Sequence, residues 1–374
     1  MKTMRTEGDV PDDRWHTAMR ELLHAAADRD ASDVHLVPGY PAAYRVHGRL
    51  EPVNNEALEP DQVRRLVESV LPEAVLARLH DSKSIDCSVA LTHRDQPCRF
   101  RANLFWAQGS LCACFRHVPN DIPSFDWMNF PGGLAERLVN HAHGLVIVTG
   151  VTGSGKTTTL AALVNLLNQR GDCRIITVEE PIEYVHPRIS STIITQREVG
   201  RDVDSFFDGL RSGLRQDPNV ILIGEIRDRD TAAMALTAAE TGHLILSTMH
   251  TKDAKGAVTR CVDLFPHDAQ DDIRTQLSLS LRSVVCQHLL PSATEGEKRV
   301  LALEVMHVNH PVRSGIRFGK IDSIESAIQT GKRDGMLPLD ESLQQLVDVG
   351  RITLDTARRF AKEPDALRPP SRGR

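Results

Sequence analysis

The segment Gly150 to Thr157 reads G-V-T-G-S-G-K-T, with the apolar run Leu145 to Val148 before it and Thr158 to Leu167 after it. A strand that ends in a glycine-rich turn and continues as a helix makes a phosphate-binding loop. Gly150, Gly153 and Gly155 let the backbone turn sharply and aim N–H groups at phosphate oxygens, while Lys156 supplies charge and Thr157 a hydroxyl for Mg²⁺. With Thr152, Ser154 and Thr158 completing the loop, the spacing predicts ATP binding. It does not say what the energy is for.

A chain of 374 residues with 41% hydrophobic side chains suits about two domains. Its 45 basic and 50 acidic residues leave a formal charge of -5, so no global positive excess points to nucleic acid, and none is expected as a partner. The seven cysteines, at 87, 98, 112, 114, 173, 261 and 286, contain no C-x-x-C pair and form an odd set. That argues for reduced cytosolic thiols over a disulfide framework or a zinc ribbon. Cys112 and Cys114 alternate with apolar neighbours and read as small buried hydrophobes in a strand. No run approaches a membrane span, and Met1 to Asp13 is too polar for a signal peptide. Membrane association is therefore expected only through partners.

The texture of the chain divides it. Residues 1–118 read as a small α+β domain, with a helix over Arg14 to Arg29, short β-like runs and a turn at His47-Gly48, a helix over roughly Pro60 to His80, and strands near Asp86 to Leu91, Cys98 to Phe105 and Leu111 to His117. Residues 119–133, punctuated by proline and glycine, read as an interdomain linker. From 134 to 290 strands and helices alternate, which is α/β grammar and predicts a mostly parallel sheet covered by helices. Residues 291–362 add a strand over Val300 to Val308 and short helices. The Pro-, Arg- and Ser-rich residues 363–374 read as a disordered tail.

Hydrolysis needs Mg²⁺ near the phosphates and a carboxylate that orients or deprotonates water. The apolar strand Val220 to Ile223 ends in Gly224-Glu225, which puts a carboxylate at a strand tip, where open α/β sheets bind ligands. Glu225 is the general-base candidate. Glu179, Glu180 and Glu183 follow another apolar strand and are the candidates for metal duty, with Thr157. His243 and His250 flank the strand Leu244 to Thr248 and are read as sensors of the γ-phosphate.

Four boxes in this order, G-V-T-G-S-G-K-T, V-E-E-P-I-E-Y-V-H, V-I-L-I-G-E-I-R-D and T-G-H-L-I-L-S-T-M-H-T, resemble the Walker A, Asp, Walker B and His boxes of the secretion ATPase superfamily. The resemblance implies a RecA-like P-loop core, preceded by a smaller α+β PAS-like domain and followed by short C-terminal helices, in a homohexameric ring. It also implies that Arg101 and Arg116 reach a neighbouring subunit's phosphates, a contribution worth roughly 10³ to 10⁵ in rate.

Within the superfamily the chain is most similar to the type IV pilus retraction, or twitching motility, ATPases. It has no tetracysteine zinc site, and its segment from Ala327, A-I-Q-T-G-K-R-D-G-M-L-P-L-D-E-S-L, is similar to theirs. A cytoplasmic motor acting on an inner-membrane platform protein follows, with a paralogous pilus ATPase as a possible companion. The retraction signature A-I-R-N-L-I-R-E is matched only partly, with Val312, Ser314, Gly315 and Phe318 departing from it. A glycine inside a short helix costs up to about 1 kcal/mol relative to alanine, which predicts a loosened helix at Gly315. Assembly or secretion ATPases, a nucleic-acid translocase, and an accessory ring subunit with weak hydrolysis share the core and remain alternatives.

Overall fold

In Ser84–His93 the side chains of Ile85, Cys87 and Val89 are buried while their neighbours are not, the period of two that half-buried strands show. The computed structural model describes residues 13–29, 31–46, 49–94, 96–118, 121–189, 191–294 and 296–370. These residues form two compact units, one reaching Asp121 and including Pro181–Tyr184, the other comprising Ile122–Glu180 and the chain from Val185. The first is one antiparallel sheet of β1 (Ala31–Leu36), β2 (Ala43–Val46), β3 (Arg49–Pro52), β4 (Ser84–His93), β5 (Gln96–Ala107) and β6 (Ser110–Val118), in the order β3-β2-β1-β6-β5-β4. Met19 and Leu23 of the helix Asp13–Asp28 pack with Val34, Tyr44, Phe100 and Phe115 in its core.

One expectation for this unit changes. The helix expected from Pro60 to His80 is two, Pro60–Glu68 and Glu73–Ser82, because Pro72 caps the second and cannot continue the first. Cys112 is buried in β6 as read, and burial pushes both its thiol and that of Cys114 up. The His47-Gly48 turn lies outside the described residues.

The second unit carries β7 (Gly144–Thr149), β8 (Arg174–Glu179), β9 (Ile193–Glu198), β10 (Val220–Ile223), β11 (Leu244–Met249), β12 (Leu281–Leu290) and β13 (Val300–His307), ordered β13-β12-β7-β11-β10-β8-β9. Among these named strands β12 and β13 pair antiparallel and the other neighbours parallel. Every residue of β7 is buried, and its side chains alternate between two cores: Leu145 and Ile147 enter one, Val146 and Val148 the other. A strand covered by helices on both faces must be apolar throughout, which is why L-V-I-V shows no alternation. Each such side chain contributes about 1.5–3 kcal/mol of burial.

The sequence pattern points to no strand between Met249 and Pro291, yet β12 lies against β7, pairing from Leu281↔Leu145 to Cys286↔Thr149. It follows the helix Gln270–Ser280 with no glycine or proline between them, and Arg282, Ser283, Gln287 and His288 break its apolar run. The expected linker is also partly built into this unit. Ser124 caps the helical turn Phe125–Met128 (Trp127 N to Ser124 Oγ, 3.2 Å), and Phe130 is 2% exposed beside Leu138 and Val146. One turn is too short to show a helical period.

The tail is corrected as well. Leu367 is buried with Leu339, Leu343 and Val347, and the Arg368 N–H donates to Gln344 Oε1 at 2.8 Å, so order continues past residue 363. Gly315 does not loosen its helix, His310–Arg317, but lets it approach the next one, Ile321–Thr330. A Cβ there would lie 2.8 Å from Ser323 Oγ and 3.0 Å from Ile324 Cγ1.

Gly315→Ala is therefore expected to destabilise the chain by about 1–3 kcal/mol through overpacking, read as a lower urea midpoint. A second expectation concerns His307, whose Nδ1 is 2.8 Å from Ser283 Oγ. Burial first, then Arg137 and His141, push its pKa down from 6.5 to about 4, with Asp334 opposing. Its neutral form is the one the fold holds, so its contribution is full above pH 6.5 and declines as pH falls toward about 4, by up to about 3 kcal/mol. His307→Gln should flatten the pH dependence of the urea midpoint across that interval.

Candidate nucleotide site

Parallel register brings four strand ends to one edge. β7 pairs β11 up to Thr149↔Met249, β11 pairs β10 up to Ser247↔Ile223, and β10 pairs β8 up to Ile223↔Val178. The residues just beyond those ends therefore share the carboxyl edge of the sheet: the loop from Gly150, then His250, Glu225 and Glu180.

The loop leaves β7 through Gly150 (φ 144°), passes Gly153 (φ 79°) and Gly155 (φ 89°), and enters the helix Lys156–Arg170. The first two glycines differ in what they require. A Cβ on Gly150 would lie 2.5 Å from both Gln287 O and Ser154 Oγ, whereas one on Gly153 meets nothing. Gly150 is thus fixed by space as well as by φ, Gly153 by φ alone. Lys156 is 8% exposed, and its Nζ donates to Gly150 O at 3.0 Å and Val151 O at 3.2 Å.

Ser154 Oγ is buried without a hydrogen-bond partner. That orphaned oxygen, the lysine ammonium and the N–H groups at the start of a helix fit a phosphate chain. Thr152 is exposed, and Thr157 and Thr158 are half-buried in the helix's first turn.

A buttress behind the loop was not legible in the sequence. The Thr251 N–H donates to Thr149 Oγ1 at 2.9 Å, while that hydroxyl donates to Met249 O at 3.0 Å, tying the end of β7 to the segment after β11. Gln287, 1% exposed, donates from Nε2 to Thr159 Oγ1 at 2.8 Å in the helix that the loop opens. The one available signal was a glutamine in the middle of the apolar run V-V-C-Q-H-L-L.

Glu225 lies in the turn after β10, with its side chain 13% exposed. Arg227 pairs with its Oε1, and His250 Nε2 lies 3.4 Å from its Oε2. Burial first, then Lys156, holds the His250 imidazole below its usual range, with Glu225 pulling the other way. The other predicted histidine is not here. His243 precedes β11, donates from Nδ1 to Ala238 O at 3.1 Å, and closes the helix Arg229–Glu240. A six-residue strand separates it from His250, about 20 Å at the usual rise. A role at the γ-phosphate is thus corrected to a helix-end contact, because residues flanking a strand sit at opposite edges of the sheet.

The three glutamates proposed for metal duty also part company. Glu179 is 8% exposed and accepts from Thr177 Oγ1 at 2.6 Å and Gln196 Nε2 at 3.1 Å, on the inward side of β8. Glu180 points the other way, with its Oε2 3.4 Å from Arg227 Nη1. Glu183 groups with the first unit, 3.6 Å from Arg101. Among the described residues no three His, Cys, Asp or Glu side chains gather to hold a metal. Mg²⁺ needs no such cage, since it is commonly bound by one or two protein oxygens together with phosphates. Thr157 ends the loop and Glu180 stands just beyond β8 on the same sheet edge, whereas Glu179 is already engaged by Thr177 and Gln196 and Glu183 by Arg101.

In the first unit Arg101 and Arg116 are directly cross-strand partners on β5 and β6. Arg116 Nε donates to Asp33 Oδ1 at 2.8 Å while its side chain stays 67% exposed, and Arg101 Nε lies 3.7 Å from Asp86.

The profile of the type II/IV secretion system protein family matches residues 12–336. The chain belongs to that family. Among similar members, the type IV pilus retraction ATPase PilT of Pseudomonas aeruginosa is 40% identical over 92% of this chain and 98% of its own. The twitching motility protein of Neisseria gonorrhoeae is 39% identical over 86% of this chain and 85% of its own. A crystal structure of the pilus retraction motor PilT with bound ADP superimposes with a TM-score of 0.83 at 39% identity, covering 93% of this chain and 98% of that one. The Legionella pneumophila ATPase DotB does so with a TM-score of 0.82 at 26% identity. This family member thus has the RecA-like ATPase core with a preceding domain. No helix among its described residues is long and apolar enough to cross a membrane.

The two glycines give a graded expectation for this secretion-family loop. Gly150→Ala should weaken fluorescent-ADP binding at least about tenfold, since backbone cannot yield to a Cβ, and Gly153→Ala should cost markedly less. Titration of the two purified variants side by side checks the order.

Proposed function

We propose that this chain is an ATP-hydrolysing motor of the type IV pilus retraction kind. The observation that carries the reading is the 40% identity with PilT across 92% of this chain, joined to a loop and a strand-tip carboxylate on one sheet edge. Lys156 exchanges the carbonyls of Gly150 and Val151 for phosphate oxygens of ATP, and the N–H groups of the loop take the remainder. Glu225, held between Arg227 and His250, orients a water in line with the γ-phosphate and accepts its proton as the bond to ADP breaks. Bound Mg²⁺ would offset charge on the phosphate oxygens, with Thr157 and Glu180 as the residues that would hold it.

In a homohexamer, Arg101 and Arg116 of one subunit would meet the phosphates bound by the next. Their gain of phosphate partners draws the subunits together, and hydrolysis releases them. Sequential closing around the ring would move an inner-membrane platform protein, so that the motor works in the cytoplasm, attached to the membrane only through partners. Membership of the type II/IV secretion system protein family keeps a related secretion role as the second reading, as do Val312, Ser314, Gly315 and Phe318 in the retraction signature.

Deletion of the gene followed by complementation separates these readings. Retraction predicts excess, immobile surface pili in the deletion, rescue by wild type, and no rescue by Lys156→Ala, whose turnover should fall at least about 100-fold. Loss of pili would point to assembly. Unchanged pili, or salt-dependent DNA binding by the purified chain, would sink the retraction reading.

A further inference from the structure

Arg227 stands two residues beyond Glu225 in the turn between β10 and the helix Arg229–Glu240, and its guanidinium meets carboxylates from two different strand ends. Nη2 pairs with Glu225 Oε1, and Nη1 lies 3.4 Å from Glu180 Oε2 beyond β8. The second Glu225 oxygen faces His250 Nε2 at 3.4 Å. A carboxylate that is 13% exposed is thereby held at both oxygens, and one of its two holders is itself anchored on the neighbouring strand tip.

The turn alone does not fix this direction. Glu225 has three rotatable side-chain bonds, and two carboxylates on adjacent strand ends repel one another. A planar guanidinium carries donors on separate nitrogens in a rigid fork, so it can serve two carboxylates at once and keep their spacing; an ammonium is a single point charge and cannot. Asp228 then caps the following helix, with Thr231 N donating to Asp228 Oδ1 at 2.8 Å, so the backbone that carries Arg227 is pinned just after it.

We propose that Arg227 is a positioning residue for the hydrolysis step, clamping the Glu225 carboxylate between His250 and a bridge to Glu180. The inference rests on the reading of Glu225 as the group that orients the attacking water. Arg227 acts through Glu225 and not on the phosphates, so its loss disturbs turnover and spares nucleotide binding, which belongs to the loop at Gly150 to Thr157.

Steady-state ATP turnover and fluorescent-ADP titration of the full chain and its R227Q, R227K and E225Q variants test this, with thermal unfolding confirming that each folds. R227Q is expected to lower kcat about 10- to 100-fold, as a misdirected catalytic group does, with KM and ADP affinity within about threefold of wild type. R227K should recover only part of the loss, because it can hold one carboxylate. Mixing R227Q with E225Q chains should restore nothing, since both lesions fall within one site.

Wild-type kcat in R227Q, a raised KM with weakened ADP binding, or recovery on mixing would overturn the proposal. Recovery would mean that Arg227 serves a neighbouring subunit's site. Inactive E225Q beside fully active R227Q defeats the Arg227 proposal alone. Fully active E225Q defeats the reading of Glu225 and the clamp with it.

Discussion

The parallel register of β7, β11, β10 and β8 is the constraint on which the site depends. Side chains and turns beyond these four strands are not near one another in sequence; Gly150 and Glu225 come to one sheet edge, on either side of β11, because Thr149 aligns with Met249 and Ser247 with Ile223. Slipping one pair by a residue would turn the inward side chains of β7 from one core to the other as well as displacing the loop. Burial on both faces of the sheet therefore specifies the site's geometry, and hydrophobic packing and catalytic alignment are one requirement.

Around that edge the charges are arranged in opposed sets. Lys156 rests on two carbonyls of its own loop, and Arg227 spans two carboxylates. His250 lies between them, with burial and Lys156 disfavouring its charged form and Glu225 favouring it. Lys156 thus has oxygen partners that phosphate oxygens can replace at little cost, because one charge-assisted contact is exchanged for another, while Arg227 keeps its carboxylates. Behind them, Thr149, Thr251 and Gln287 hold the loop by short polar contacts that belong to three different strands or their ends.

What was legible in the sequence was local. The loop and the strand Val220 to Ile223 each carry their signal in a few adjacent residues, and the structure has them at those bounds. What failed needed knowledge of neighbours. β12 is apolar by burial but polar at Ser283 and Gln287, whose partners His307 and Thr159 are remote in the chain. The strand His243 and His250 flank was recognised, yet the consequence that its two ends lie on opposite edges decides which histidine belongs to the site. Glu179 and Glu180 are adjacent in sequence and face opposite sides of the chain. Gly315 read as a weak point in a helix, whereas Ile324 and Ser323 make it a point of close packing. Leu367 sits in a composition typical of tails, and only its contacts with Leu339 and Leu343 reveal that it is buried.

The central claim is that binding and chemistry are divided between two strand ends, the loop after β7 holding the nucleotide and Glu225 after β10 directing water at it. Identification of the nucleotide retained by wild-type and Glu225→Gln chains tests this most directly: each is loaded with ATP, freed of unbound nucleotide, incubated, and its bound nucleotide separated by chromatography. ADP on the wild type and intact ATP on Glu225→Gln is the predicted result. ADP forming on both at the same rate would contradict it.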